Sequence, residues 1–336
     1  MRYLPAEFEE QSFIQIIFPH SNCDWEEYLE EAEENFIELI NTICLYQDCL
    51  VICDDRHHVA SLLQRSKHLY LIEESTNDTW ARDCSALCIY EDNEPLLLDF
   101  TFTAWGGKFE ADLDNKLSQN ISNIYNAPMK SLDFILEGGA VESNGKGILL
   151  TTQTCIFNPN RNQMPKQESI KFLKKELGVS KVLSLKHGYL KGDDTDSHID
   201  TLARFVDEST IFYLQCEDKE DEHYDALFKM QEELRTFTDQ NNKAFTLIPL
   251  PFTSALYDEE ERLPATYANF LILNKAVLVP IYDDINDQKA LNIFKKFFVN
   301  KDIIPINCST LIRQHGSLHC VTMQFPKKLK LRSSSL

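Results

Sequence analysis

The stretch Asn269–Ile306, NFLILNKAVLVPIYDDINDQKALNIFKKFFVNKDIIPI, predicts a β-hairpin, then a helix, then one more strand. Its first part holds two short apolar runs joined by a polar turn, which is the usual signature of a hairpin. From Asn286 onward the apolar residues recur three or four positions apart, as they do on one face of a helix. The last residues, from Asp302, form a short closing strand, so the predicted unit is ββαβ.

The same unit recurs along the chain roughly every 50 to 65 residues, a period that indicates a repeat architecture. Further hairpins are predicted at Leu87–Phe100, Ala140–Thr151 and Ala203–Gln215. Further helices are predicted from Pro165, Lys219 and Asp24, and further strands are predicted at Lys181–Leu185, Phe245–Leu250 and Cys49–Asp55.

The two ends of the chain each hold part of a unit. His319–Pro326 lacks a second strand, and Ser12–His20 lacks a first, so together they would complete one unit. Five units closed into a ring need no separate caps, because the last packs on the first. We therefore predict an α/β fold with a single domain over residues 1–326 and a frayed tail over 327–336. An ordinary two-domain α/β protein with mixed sheets is the alternative.

Composition narrows the kinds of partner. The formal net charge of −20 disfavours nucleic-acid binding, which needs clustered Lys and Arg, and favours a cationic small molecule. The first residues lack the apolar core of a leader, and no stretch is long and apolar enough to cross a membrane, so a cytoplasmic location is expected. Ten cysteines then belong to a reducing compartment, and their spacing does not favour zinc.

Polar residues stand just ahead of each hairpin, at the same position in every unit. They are Trp80–Asp83, Glu137–Gly139, His198–Asp200, Tyr267–Asn269 and His319–Cys320. If the units surround one axis, these loop ends converge, and one central cavity collects carboxylates, an imidazole and a thiol. The sequence therefore predicts an active site at that axis.

These residue types suit chemistry on a guanidinium group. A planar guanidinium presents paired N–H donors that carboxylates such as Asp83 and Asp200 can accept. A thiolate above its plane can attack the central carbon, and a bound cation favours that thiolate. His198 can protonate the leaving amine and later deprotonate water.

Five motifs carry a family resemblance: TWARDCSALCIY from Thr79, DFTFTAWGGKF from Asp99, LEGGAVESNGKGILLTTQTCI from Leu136, GDDTDSHIDTLARFV from Gly192 and GSLHCVTMQFP from Gly316. Through them the chain resembles agmatine deiminases and bacterial peptidylarginine deiminases, which are pentein enzymes that modify guanidino groups. The resemblance spans nearly the whole chain. It implies a five-bladed α/β propeller around a central active-site cavity.

The resemblance also implies residue roles. Cys320 would be the nucleophile, His198 the general acid and base, and Asp83 and Asp200 the guanidinium clamp. Glu137 would support His198 or Asp200. Trp80 and Asp194 would contact the far chain and amine of the substrate.

Agmatine is the expected substrate and N-carbamoylputrescine and ammonia are the expected products, without a cofactor or metal. Arginine or peptidyl-arginine is the alternative substrate, and Arg82 and Arg313 are candidate partners for a substrate carboxylate. The chain departs from the family pattern at Cys84–Ala86 and at Arg313–Leu318, which bears on the pocket shape. Similar enzymes are often dimers, so a homodimer is expected from the resemblance.

Two other functions stay open. A metal hydrolase could use Asp193, Asp196, His198 and Asp200, since carboxylates and imidazole are metal ligands. A non-catalytic protein could use the same acids to bind polyamines or cationic peptides.

Overall fold

The computed structural model describes residues 1–332 and has a mixed α/β fold made of several small sheets. The strands of the described residues are β1 Arg2–Tyr3, β2 Gln11–Ile17, β3 Asp48–Cys53, β4 Leu69–Glu73, β5 Leu87–Glu91, β6 Glu94–Thr101, β7 Met129–Ile135, β8 Glu142–Ser143, β9 Ile148–Thr152, β10 Lys181–Leu185, β11 Ala203–Phe205, β12 Thr210–Gln215, β13 Thr246–Pro251, β14 Tyr257–Asp258, β15 Glu261–Arg262, β16 Leu271–Ile272, β17 Ala276–Ile281, β18 Asp302–Asn307 and β19 Thr322–Pro326.

Helices lie between these strands. They are α1 Leu29–Ile43, α2 Arg56–Leu62, α3 Ala81–Cys84, α4 Ala104–Gly107, α5 Asp114–Asn120, α6 Gln153–Ile156, α7 Lys166–Leu177, α8 Tyr224–Thr236 and α9 Asp287–Phe297. None of the helices within residues 1–332 is both long and apolar enough to cross a membrane.

Five sheets of three or four strands are present among the described residues, with strand orders β1-β5-β6-β7, β10-β9-β8, β11-β12-β13, β16-β17-β18 and β19-β2-β3-β4. Four of them hold one of the predicted hairpins as an antiparallel pair, followed through a crossover by a parallel strand. In the fifth, β19 near the C-terminus pairs antiparallel with β2 near the N-terminus, and β3 and β4 continue in parallel. The α/β class is confirmed.

Helix α8 begins at Tyr224, several residues later than the predicted start at Lys219. The intervening residues form turns, in which the backbone N–H of His223 donates to the Asp221 carboxylate over 2.9 Å and Arg262 binds the same carboxylate. Local side-chain hydrogen bonds of this kind compete with helix formation.

Helix α2 and strand β4 were not predicted. The Asp55 carboxylate accepts from the backbone N–H groups of His57 and His58, each over 2.9 Å, and so caps the first turn of α2. Strand β4 then pairs in parallel with β3. A helix of seven residues with a single buried residue, Val59, gives too weak an apolar period to be recognised in sequence.

The prediction of a frayed tail is wrong for residues 327–332. Leu329 is fully buried, and Leu331 forms an isolated antiparallel bridge with Tyr125. The backbone N–H of Arg332 donates to the carbonyl of Ile124 over 2.7 Å. Alternation of lysine with leucine suits a strand-like segment with one buried side. Residues 333–336 lie outside the described part of the chain.

Candidate active site

A cavity of about 120 Å³ opens beside the predicted nucleophile. Its lining residues are Asp24, Asp78, Trp80, Asp83, Trp105, Phe109, Asp194, Thr195, Gln314, His315, Gly316 and Cys320. Of the predicted site residues, Cys320, Asp83, Trp80 and Asp194 line it directly. His198, Asp200 and Glu137 are almost completely buried and are not among its lining residues, but His198 and Asp200 lie with Asp83 around Gly139.

Two neighbouring loops hold the carboxylate of Asp83. The backbone N–H of Gly139 donates to its Oδ1 over 2.9 Å, and the indole Nε1 of Trp105 donates to its Oδ2 over 2.9 Å. These two hydrogen bonds fix the plane of the carboxylate. Trp105 is not among the predicted site residues, because a tryptophan in an apolar stretch is more often simply a core residue.

The space around Gly139 shows how closely the predicted residues approach one another. A Cβ atom at this position would lie 2.6 Å from Nδ1 of His198, 2.9 Å from Oδ1 of Asp83 and 3.0 Å from Oδ2 of Asp200. At Gly138 it would lie 2.2 Å from the carbonyl oxygen of Arg82. The double glycine therefore lets an imidazole and two carboxylates converge on one peptide.

His198 stands at the start of a 3₁₀ turn, Ile199–Thr201, and is fully buried among acids. Its Nδ1 lies 3.7 Å from Oδ1 of Asp83 and its Nε2 lies 4.0 Å from Oε2 of Glu137, and neither nitrogen has a hydrogen-bond partner. Burial opposes the charged imidazole, but Asp83, Cys155 and Glu137 together raise the pKa of His198 well above its usual value. A protonated His198 is thus the favoured form.

Glu137 lies beside His198, one of the two residues that it was predicted to support. Its Oε1 accepts from Nε of Arg161 over 2.7 Å in a fully buried ion pair. Arg161 also donates to the carbonyl oxygens of Trp105, over 3.0 Å, and of Thr195, over 3.1 Å. Burial raises the pKa of Glu137, and His198 and Arg161 oppose that rise. Arg161 was missed because it lies in a loop and outside the motif core.

The structure does not assemble the alternative metal set. Asp193 accepts from the backbone N–H groups of Thr195, over 3.2 Å, and Ser197, over 2.7 Å, and so it caps a turn. Asp196 pairs with Arg161 and Lys108. Both carboxylates are therefore already engaged, which disfavours the metal-hydrolase reading.

A different trio, Glu137, Cys155 and His198, does bring ligand-type atoms within 4.8 Å of one another. The Arg161 guanidinium is paired with this Glu137 at the same place. A fixed buried cation beside the trio repels a metal ion.

Asp200 is fully buried, and its two oxygens have different surroundings. Oδ2 lies 2.7 Å from Nδ1 of His319, whereas Oδ1 has no hydrogen-bond partner. An unpartnered buried acceptor costs ~1–3 kcal/mol, so a donor that reaches Oδ1 is strongly favoured. The guanidinium of a ligand would be such a donor.

Cys320 begins the segment that leads into β19, and Asn269 fixes it. Oδ1 of Asn269 accepts from the backbone N–H of His319 over 2.8 Å and lies 3.4 Å from the Cys320 Sγ. Burial, with the negative charges of Asp200 and Asp83, holds the pKa of the Cys320 thiol well above its usual range. Without a bound cation the sulfur is therefore a thiol.

The atypical segment Arg313–Leu318 contributes one wall of the cavity through Gln314, His315 and Gly316. A Cβ atom on Gly316 would lie 2.0 Å from the ring of Trp80, so the indole packs directly against this peptide. Asp78 accepts from Nε1 of Trp80 over 2.9 Å and orients the indole.

Neither candidate arginine faces the cavity. Arg82 is buried, donates to Gln324 and lies 3.6 Å from Glu7. Arg313 pairs with Glu31 and Asp258 outside the cavity. Among the described residues, no lysine or arginine lines the cavity.

Comparison with known proteins identifies the class. The family of Porphyromonas-type peptidyl-arginine deiminases matches residues 3–326, and the chain belongs to this family. A structure described as "the Putative Arginine Deiminase from Porphyromonas gingivalis" is 45% identical, with a TM-score of 0.95 over 98% of this chain and 100% of that one.

Two further relatives are named as agmatine deiminases. The agmatine deiminase of C. jejuni, solved as a cysteine-to-serine variant with substrate bound, is 40% identical, with a TM-score of 0.91 over 99% of this chain and 98% of that one. A "Putative agmatine deiminase" of Marinomonas sp. (strain MWYL1) is 28% identical over 98% of this chain and 95% of its own length.

Proposed function

We propose that this protein is an agmatine deiminase, which hydrolyses agmatine to N-carbamoylputrescine and ammonia. The main support is the convergence of an imidazole and two carboxylates on Gly139, beside a cavity that is lined by acids and by Cys320. Relatives named agmatine deiminase, one of them solved with substrate bound, agree with this choice.

In this proposal Asp83 and Asp200 bind the guanidinium. Asp83 is already oriented by Gly139 and Trp105, and Asp200 has a buried oxygen without a partner. Carboxylates fixed before the substrate arrives lose little conformational entropy on binding, and they hold the central carbon in one position relative to Sγ of Cys320. Glu137 supports His198 from the side opposite Asp83.

The substrate then activates the nucleophile. Burial and two acids disfavour the Cys320 thiolate in the free enzyme. A guanidinium cation bound between those acids offsets their charge, so the thiolate forms where its electrophile already lies. This order keeps the sulfur unreactive until a cation is bound.

His198 carries the protons through the two half-reactions. The thiolate adds to the guanidinium carbon, His198 protonates one amino group, and ammonia leaves to give a thiouronium bound to Cys320. His198 then takes a proton from water, and the hydroxide adds to the same carbon. As the C–S bond breaks, the hydroxyl proton passes to the departing sulfur, which restores the Cys320 thiol and leaves the urea. The urea product, N-carbamoylputrescine, is released, and the acids around His198 favour its protonated form at the start.

Agmatine is preferred over arginine because of the cavity wall. Asp24, Asp78 and Asp194 line it, and no lysine or arginine does among residues 1–332. A substrate carboxylate would be buried near acids without a cationic partner, whereas the primary ammonium of agmatine would be stabilised. Trp80 and Asp194 are proposed to contact the carbon chain and this ammonium.

We also propose that the five sheets of three or four strands are the blades of a propeller, with the cavity on its axis. Pairing of β19 with β2 supports closure of the chain through its two terminal strands. A cytoplasmic location and a homodimer remain predictions.

The direct test measures ammonia release from agmatine, free arginine and peptides with a terminal arginine. EDTA is present because a metal hydrolase would lose its activity in it. Cys320→Ser is expected to lose activity by several orders of magnitude, while Cys216→Ser, a buried thiol in a separate part of the core, should retain it. Greater activity on arginine would overturn the substrate assignment. Activity that survives in Cys320→Ser would overturn the mechanism, and no release from any guanidine would favour a binding protein.

A further inference from the structure

His319 lies between two carboxylates that come from distant parts of the chain. Its Nδ1 lies 2.7 Å from Oδ2 of Asp200, and its Nε2 lies 2.6 Å from Oε2 of Glu7. All three side chains are buried. The imidazole therefore connects an acid of the proposed substrate clamp to the N-terminal segment.

Glu7 is itself held by several donors. Oε2 lies 2.8 Å from Nη2 of Arg204 and 3.6 Å from Nη2 of Arg82, and Oε1 accepts from the backbone N–H of Ile272 over 2.8 Å. Burial alone would raise the pKa of Glu7, but Arg204, His319 and Arg82 together lower it well below its usual value. Glu7 is thus a fixed, ionised anchor for the imidazole.

The number of protons in the two contacts of His319 fixes the total charge of Glu7, His319 and Asp200. Each of the two carboxylate–imidazole contacts needs one proton, because an ionised oxygen and a bare ring nitrogen are both acceptors. Either the imidazole carries both protons, or it carries one and an acid carries the other. In both cases Glu7, His319 and Asp200 together carry one negative charge.

We propose that His319 is a positioning residue: with Glu7 it holds Oδ2 of Asp200, so that the free Oδ1 faces the guanidinium of the substrate. This inference rests on the proposed deiminase function. This chain of contacts from Glu7 through His319 to Asp200, here called the relay, explains why only one oxygen of Asp200 lacks a partner. It also links the clamp to the nucleophile, because His319 and Cys320 are adjacent and share Asn269 as an acceptor.

The charged and titratable groups around Asp200 and His319 must be considered together in any pH experiment. They are Glu7, Arg82, Asp83, His198, Arg204 and Cys320. Changing His319 alone leaves these groups in place.

Two substitutions separate the two contacts of the imidazole. In His319→Asn the side-chain amide stands near the position of Nδ1 and can still bind Asp200. In His319→Gln the amide stands near Nε2 and reaches Glu7 instead. His223→Gln is the matched control, since His223 is also buried and paired with an acid, Asp221, away from the cavity.

The two variants are expected to differ in KM for agmatine and in the pH dependence of kcat/KM. His319→Gln should raise KM for agmatine by at least about tenfold, the effect of losing one hydrogen bond to a charged group. The acid limb of its kcat/KM profile should move to higher pH, because the hydrogen-bonded group of Glu7, residue 319 and Asp200 loses a donor that stabilises its negative charge. His319→Asn should stay closer to the wild type, and His223→Gln should show no shift of the limb.

Equal KM values for the two variants, with an unmoved acid limb, would show that His319 is merely structural. If the variants fail to fold, Glu7→Gln, which leaves the imidazole in place, should shift the limb in the same direction, and no shift would overturn the relay. Calorimetric titration of agmatine into Cys320→Ser, with and without His319→Gln, needs no turnover. Equal affinities there would reject the relay, whereas absent ammonia release in the wild type would reject the proposed function alone.

Discussion

The backbone N–H of Gly139 donates a hydrogen bond over 2.9 Å to Oδ1 of Asp83, so the peptide of one loop holds the carboxylate of another. The same glycine has the His198 imidazole and the Asp200 carboxylate against its open face. A residue without a side chain thus sets the distances between the groups proposed for binding and for proton transfer.

Gly139→Ala should remove most of the activity. A Cβ atom 2.6 Å from Nδ1 of His198 forces the imidazole or the loop to move, and a displacement of ~1 Å in a catalytic group can cost about 100-fold in rate. The measurement is kcat/KM for agmatine together with the melting temperature. Gly147→Ala is the control. Its φ of 84° strains any side chain, but a Cβ atom there would approach only Ser180, so the variant should lose stability and keep its activity.

Asp83→Asn should make Cys320 react faster with iodoacetamide at neutral pH, although deimination falls. Burial is the largest cause of the raised pKa of this thiol, and Asp200 and Asp83 add to it. Removing one negative charge lowers that pKa, so more thiolate exists at a given pH. The rate of alkylation is measured against pH, and a slower reaction in the variant would contradict the assigned cause.

Asp194→Asn should discriminate between substrates with and without a distal amine. The carboxylate lines the cavity and is partly exposed, which suits contact with an ammonium group. Loss of such a charged contact should raise KM for agmatine about tenfold and leave KM for butylguanidine nearly unchanged. Asp258→Asn, which removes an acid outside the cavity, is the control for long-range charge. Equal effects on both substrates would place the amine elsewhere.

Asp114→Asn should stabilise the protein at pH 8 more than at pH 5. Burial raises the pKa of Asp114 to about 7, whereas an unfolded aspartate titrates near ~3.9. The proton-linked stabilisation is complete below the unfolded pKa and is lost as the pH rises through the folded one, so the ionised acid destabilises the fold at pH 8. Urea unfolding at both pH values measures the free energy of unfolding. At pH 8 the variant is expected to exceed the wild type by ~1–3 kcal/mol. A variant less stable at pH 8 would contradict this account.

The sequence predicted the regular parts of the fold well. The hairpins at Leu87–Phe100 and Ala203–Gln215 and the helix from Asn286 follow from apolar periodicity, which is a local property. Helix α2 and the packed segment 327–332 escaped prediction. Helix α2 has a single buried residue and so a weak apolar period, whereas the segment 327–332 packs against partners that are remote in the chain.

The same division holds for the candidate site. The sequence determined which residue types are available, since Asp83, His198, Asp200 and Cys320 stand ahead of strands in recurring units. Only the tertiary structure decided their partners: Trp105 on Asp83, Arg161 on Glu137, and Glu7 with His319 behind Asp200. The physical reason is that periodicity reports one element at a time. Ion pairs and hydrogen bonds between buried groups depend on distances across the fold that no single segment encodes.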